Sequence, residues 1–124
     1  LYGYAGDDGA LVRAALHTGA KGIVYAGPGM GSLPVPVEKE LLAAQAKGVA
    51  VVRASRLTDG LVLSPGIPVP QNADAAASPK GEAAFIASGS LSPVKARILL
   101  QCALAQETPL AALPQIFCQV SSLS

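Results

Sequence analysis

Lys21-Gly22-Ile23-Val24-Tyr25-Ala26-Gly27-Pro28-Gly29-Met30-Gly31-Ser32-Leu33 and, after one helical stretch, Val49-Ala50-Val51-Val52-Arg53-Ala54 are two apolar runs separated by a glycine-rich turn and a helix. Runs of this length with little alternation are what strands buried on both faces require, and a helix between two such strands makes a parallel pair. Between them, residues 37–47 set Val37, Leu41 and Ala44 on one stripe at helical spacing and turn Glu38, Lys39 and Lys47 away from it. Gly48 follows as the left-handed stop of that helix.

The same alternation continues outward. Residues 1–5 read as a first strand, already under way at residue 1 as it would be in a fragment, and Asp7 or Asp8 can cap a helix over 9–17 that ends before Gly19. Residues 61–82, with Pro65, Pro68, Pro70 and Pro79, form a long loop that can sustain neither a helix nor a central strand. A fourth strand is expected over 83–87. Ser92-Pro93 then starts a helix, the hydroxyl capping free amides and the proline at the first helical position. On that helix Val94, Ile98, Cys102 and Ala105 make one apolar line, and Leu99, Leu100, Ala103 and Leu104 fill much of the rest, so burial on more than one side is expected. A last helix over 109–119 has to bend or restart at Pro114. The pattern is that of an α/β protein: a parallel sheet of about four strands with helices on both faces, in three layers, as one domain over residues 1–124.

A chain of 124 residues is one domain in size, and its core is built from Ala, Val and Leu with three Tyr, two Phe and no Trp. Nine basic and eight acidic residues give a charge of +1 without any basic stripe, so nucleic acid is not an expected partner. No apolar run approaches the roughly 20 residues of a membrane span, and the first residues lack the pattern of a signal peptide. Cys102 and Cys118 are expected as buried free thiols, and with a single histidine, His17, no tetrahedral metal set can be assembled. Composition leaves the compartment open.

Ligands of open parallel sheets bind at the carboxyl ends of the strands, where helix amino-termini converge. Three loops qualify, over residues 6–9, 27–33 and 53–60. The glycines of the second follow a Gly-x-Gly-x-Gly spacing, and the next strand ends in Arg53 where a ribose-binding acid would stand, which does not fit a dinucleotide site. Two readings remain for that loop: a structural turn, or a turn that presents Ser32 to a small ligand. His17 falls at a helix end, and Ser92 is already accounted for as a cap, which leaves the Ser-x-x-Lys spacing to Lys95 without a catalytic use. No catalytic residue is assigned within the chain, and no metal or cofactor is expected.

Ala26-Gly27-Pro28-Gly29-Met30-Gly31-Ser32-Leu33, Val51-Val52-Arg53-Ala54-Ser55-Arg56-Leu57-Thr58-Asp59-Gly60 and Ala87-Ser88-Gly89-Ser90-Leu91-Ser92-Pro93-Val94-Lys95-Ala96-Arg97 together resemble the carboxy-terminal domain of bacterial-type L-asparaginases and glutaminase-asparaginases. The resemblance extends from the Tyr4-Ala5 strand end to Gln115-Ile116-Phe117 and implies a flavodoxin-like three-layer fold. It also implies a function: hydrolysis of asparagine, often also glutamine, to aspartate and ammonia through an acyl-enzyme, without a cofactor. In that family the nucleophilic Thr and its partners lie on an amino-terminal domain whose motifs are absent here. The carboxy-terminal domain completes the site of a neighbouring subunit in a homodimer or tetramer. A short polar residue in the glycine loop, matched by Ser32, and an acid in the later loop that binds the substrate's α-ammonium make this contribution. Asp74 is the nearest acid within the loop over 61–82, and Asp59 is the other; neither matches the motif. The alternative is a non-catalytic structural or small-ligand-binding module of the same fold. An asparaginase-like subunit of a tRNA-dependent amidotransferase is a third reading, but it too needs the amino-terminal motifs.

Overall fold

The computed structural model describes residues 1–58, 60–62 and 85–122. Three parallel strands, β1 (Gly22–Gly27), β2 (Ala50–Ser55) and β3 (Ile86–Ala87), form a sheet in the order β1-β2-β3. The register pairs Ile23 with Val51 and Gly27 with Ser55, and Val52 with Ile86.

Among the described residues four α-helices cover the sheet: α1 (Ala10–His17), α2 (Val35–Ala46), α3 (Pro93–Ala105) and α4 (Leu113–Ser121). The strand residues divide between two cores by their alternation. Ile23, Tyr25 and Val51 pack with Val12 of α1 and Val37, Leu41 and Ala44 of α2. Ala50, Val52 and Ile86 pack with Ala96, Leu100 and Ala103 of α3 and Leu113 and Phe117 of α4 on the opposite face. The expected three-layer α/β arrangement with helices on both faces is therefore present.

Local sequence explains most boundaries. The Ser92 side chain accepts from the Lys95 backbone N–H and Pro93 opens α3. Gly48 takes the left-handed conformation at φ 84°, which ends α2 at little steric cost. Pro114 lies in the first turn of α4, after a short 3₁₀ turn over Leu110–Ala112, so the chain restarts there.

Three expectations are corrected. The described residues hold three strands where about four were expected. The segment at residues 1–5 makes only a single parallel bridge, Tyr2 to Ala26, flanked by Ala26 N–H to Leu1 O and Gly3 N–H to Ala26 O, both 2.8 Å. Gly3 lies over the Tyr25 ring and the chain then turns through the Asp7 N–H to Tyr4 O bond, leaving β1. On α3 the line of Val94 and Ile98 is exposed, at 60% and 53%, and the buried face is Ala96, Leu100 and Ala103. Small residues there let the helix approach the sheet closely. Cys102 and Cys118 are free and exposed, since each lies on the outward side of its helix. Most of the long loop over 61–82 lies outside the described residues.

Candidate functional site

The loops after β1 and β2 meet beyond the carboxyl ends of the two strands. The Arg56 backbone N–H donates to Gly27 O at 2.8 Å, continuing the strand pairing into the loops. Ser55 Oγ donates to Gly29 O at 2.5 Å and accepts the Leu57 N–H at 3.1 Å, so one buried hydroxyl ties both turns. Arg53 Nη1 reaches Met30 O at 3.3 Å, and the amides of Gly31 and Ser32 both donate to Pro28 O at 3.0 Å. The glycine loop is thus a tight turn whose carbonyls are engaged from below, with Ser32 on its exposed side.

The first loop joins them. Arg56 Nη1 donates to Gly3 O at 2.7 Å, bridging residues far apart in sequence. Behind it, Asp7, only 5% exposed, accepts the Tyr25 phenol proton at 2.6 Å and the Gly9 N–H at 3.0 Å. A buried carboxylate needs such donors to be tolerated. Burial, and next the bond to Asp7, hold the Tyr25 phenol well above its ordinary pKa of 10.0.

The end of the first segment, the glycine loop and Arg56 enclose an open cavity of about 340 Å³ lined by Gly3, Tyr4, Tyr25, Ser32, Leu33 and Arg56, among others. Ser32 is exposed on the glycine loop and lines this cavity. Asp74 and Asp59 lie outside the described residues. His17 closes α1, just before Gly19 and the start of β1, and so sits at the amino end of a six-residue strand. At about 3.3 Å per residue this places it about 20 Å from the cavity, too far to serve Ser32 as a base. The Tyr4 and Arg56 contributions were missed by the sequence reading. The polar end of the run 49–56 signalled that the strand leaves the core there, but nothing local signals that Arg56 turns toward Gly3.

A larger groove, about 690 Å³, runs beside the amino half of β1 between Leu1, Tyr2 and the Val94, Arg97 and Leu104 side of α3. Its strand residues, 21–24, are at the amino end of β1, away from the convergent loops. It is mostly apolar and belongs to the edge of the sheet rather than to the site.

The chain is similar in sequence to known proteins over most of its length. The chain is 45% identical over 104 residues to L-asparaginase 2 of Bacillus subtilis, covering 84% of this chain and 24% of that protein. It is 39% identical over 119 residues to L-asparaginase 2 of Escherichia coli, covering 96% of this chain and 31% of that protein. The glutaminase-asparaginase of Pseudomonas fluorescens is 32% identical over 117 residues, 94% of this chain and 30% of its own length. The chain therefore spans about a quarter to a third of the relatives it matches. Residues 1–117 also match the description Glutaminase/Asparaginase C-terminal domain, and with nearly the whole chain covered, the protein belongs to that family.

Proposed function

We propose that residues 1–124 act as the carboxy-terminal domain of an amidohydrolase that converts L-asparagine and water to L-aspartate and ammonia. In this reading the nucleophile lies on an amino-terminal domain, and this chain completes the site of a neighbouring subunit without contributing a catalytic residue. The observation that carries the proposal is the position of Ser32, on the exposed side of a turn fixed by both neighbouring loops and lining the cavity at the strands' carboxyl ends. A hydroxyl so held can hydrogen-bond a small polar substrate at little further entropic cost. Asp74 is the acid proposed to meet the substrate's α-ammonium. Exposed apolar side chains, Val94 and Ile98 on α3 and Tyr2, which lines one groove with Val94, support self-association into a homodimer or tetramer.

Ammonia release from asparagine and glutamine tests the proposal, measured for this chain alone and for a polypeptide that joins it to the amino-terminal domain. No turnover is expected from the chain alone, and turnover from the longer polypeptide. Ser32→Ala in the latter is expected to raise KM about 3- to 10-fold, the loss of one ordinary hydrogen bond. Turnover by the chain alone, or a KM untouched by Ser32→Ala, would overturn it.

A further inference from the structure

Asp7 and Tyr25 form a buried titratable pair that the proposed amide hydrolysis leaves unused. Asp7 and its neighbour Asp8 each accept a backbone N–H at the start of α1, from Gly9 at 3.0 Å and from Ala10 at 2.9 Å. They differ in everything else. Asp8 is exposed and pairs with Arg13 at 3.7 Å, whereas Asp7 is buried and its second oxygen accepts the Tyr25 phenol proton at 2.6 Å. A helix start needs only an acceptor for its free amides, which Asp8 supplies without the cost of burying a carboxylate. The burial of Asp7 is explained by what it holds. Its backbone N–H closes a turn on Tyr4 O at 3.2 Å. Gly3 rests on the phenol, since a methyl group there would stand 2.7 Å from Tyr25 Oη. Gly3, Tyr4 and Ala5 in turn form one wall of the cavity that Ser32 lines. Tyr25 is itself 1% exposed and offers a ligand almost no surface, so its influence on the cavity passes through the segment it supports.

We propose that Asp7 is a positioning residue which, with the Tyr25 phenol, holds residues 3–5 as a fixed wall of the cavity and so sets how tightly substrate is bound. The proposal rests on the amidohydrolase reading for the identity of the substrate. Two of the bonds that fix this wall involve a charged group, Arg56 to Gly3 O and Tyr25 to Asp7, and such bonds are roughly twice as strong as neutral ones. The first fixes Gly3. The second fixes Asp7, from which the turn to Tyr4 hangs. Without it the wall loses its anchor at residue 7, and ordering the wall again has to be done at the expense of binding. No group on the wall takes part in the reaction. Ground state and transition state therefore weaken together, which raises KM and leaves kcat in place.

Asp7→Ala, Asp7→Asn, Tyr25→Phe and Asp8→Asn test this in the 124-residue chain and in the polypeptide that joins it to the amino-terminal domain. In the chain, ¹⁵N order parameters over residues 3–6 are expected near about 0.85 for the parent and Asp8→Asn, and below about 0.6 for Asp7→Ala, with Ile23 and Val51 unchanged. In the longer polypeptide, Asp7→Ala is expected to raise KM for asparagine about 10-fold with kcat within about 2-fold, and Tyr25→Phe to raise it about 3-fold. Asp7→Asn keeps one acceptor oxygen and should fall between the parent and Asp7→Ala. Phe117→Leu, in the opposite core, lowers stability without touching the wall and should leave KM unchanged. Tyr25→Phe removes only the phenol oxygen and carries both measurements should Asp7→Ala fail to fold. A wall that stays rigid, or a KM that stays at the parent value, overturns the proposal. A KM raised as much by Phe117→Leu as by Asp7→Ala does so too, because the effect would then be general destabilisation. No turnover by the longer parent polypeptide refutes the enzymatic reading instead, and the order parameters still decide whether Asp7 holds the wall.

Discussion

Gly27→Ala should destabilise the domain severely, although Gly27 has an ordinary strand conformation. Gly27 closes β1, pairs with Ser55, and gives its carbonyl to the Arg56 amide. A methyl group here would overlap the Ser32 carbonyl oxygen and stand 3.0 Å from Gly31 C and 3.1 Å from Ser32 C. All three are backbone atoms, held by the two amide bonds to Pro28 O, so no side-chain end can swing aside. Relief requires lifting the glycine loop off the strand, which places the cost near the upper end of overpacking, about 2–3 kcal/mol. With a urea slope of about 1.5 kcal/mol/M, the unfolding midpoint should fall by about 1.3–2 M. Gly29→Ala is the control: φ is +56° but nothing lies within 4 Å of the added carbon, so only the left-handed strain of about 1 kcal/mol applies. Urea titrations followed by circular dichroism compare the two. If Gly27→Ala costs no more than Gly29→Ala, the close approach of loop and strand is not as described.

Two further outcomes are expected. Phe117→Ala, at a fully buried position among Leu100, Leu113 and Val52, should cost about 3–5 kcal/mol, whereas Ile98→Ser on the exposed line of α3 should stay within about 0.5 kcal/mol. The opposite order in thermal melts would mean that α3 buries its other face. Stability should fall as pH rises above about 10, because an unfolded Tyr25 releases its proton there while the folded phenol, raised by burial and by Asp7, retains it. The contribution is complete below that pH. Denaturant midpoints at pH 9 and 11 should differ less in Tyr25→Phe than in the parent; an equal fall in both removes the assignment to Tyr25.

The candidate site was partly legible. Ser32 could be named because a glycine-rich turn after a buried strand has few places to put a short polar side chain, and the structure puts it on the exposed side. Arg56 and Tyr4 could not, because their meeting depends on a bond between residues 56 and 3 that no local pattern encodes. The apolar line of Val94, Ile98 and Cys102 misled for a related reason. Periodicity identifies a stripe, but α3 is apolar nearly all round, and which stripe is buried depends on which one fits the sheet.

What the sequence determined by itself was the alternation of strand and helix, the helix starts and stops, and the parallel pairing. These follow from short-range rules: hydroxyl and proline at a helix start, glycine at its end, unbroken apolar runs for strands buried on both faces. The tertiary structure decided which helix face packs, how far the first segment pairs with β1, and which loops share a cavity. Close packing selects among local solutions of similar propensity. Ala96, Leu100 and Ala103 could approach Val52 where Val94 and Ile98 face outward, and Asp7 became a buried residue only once Tyr25 supplied its hydrogen bond.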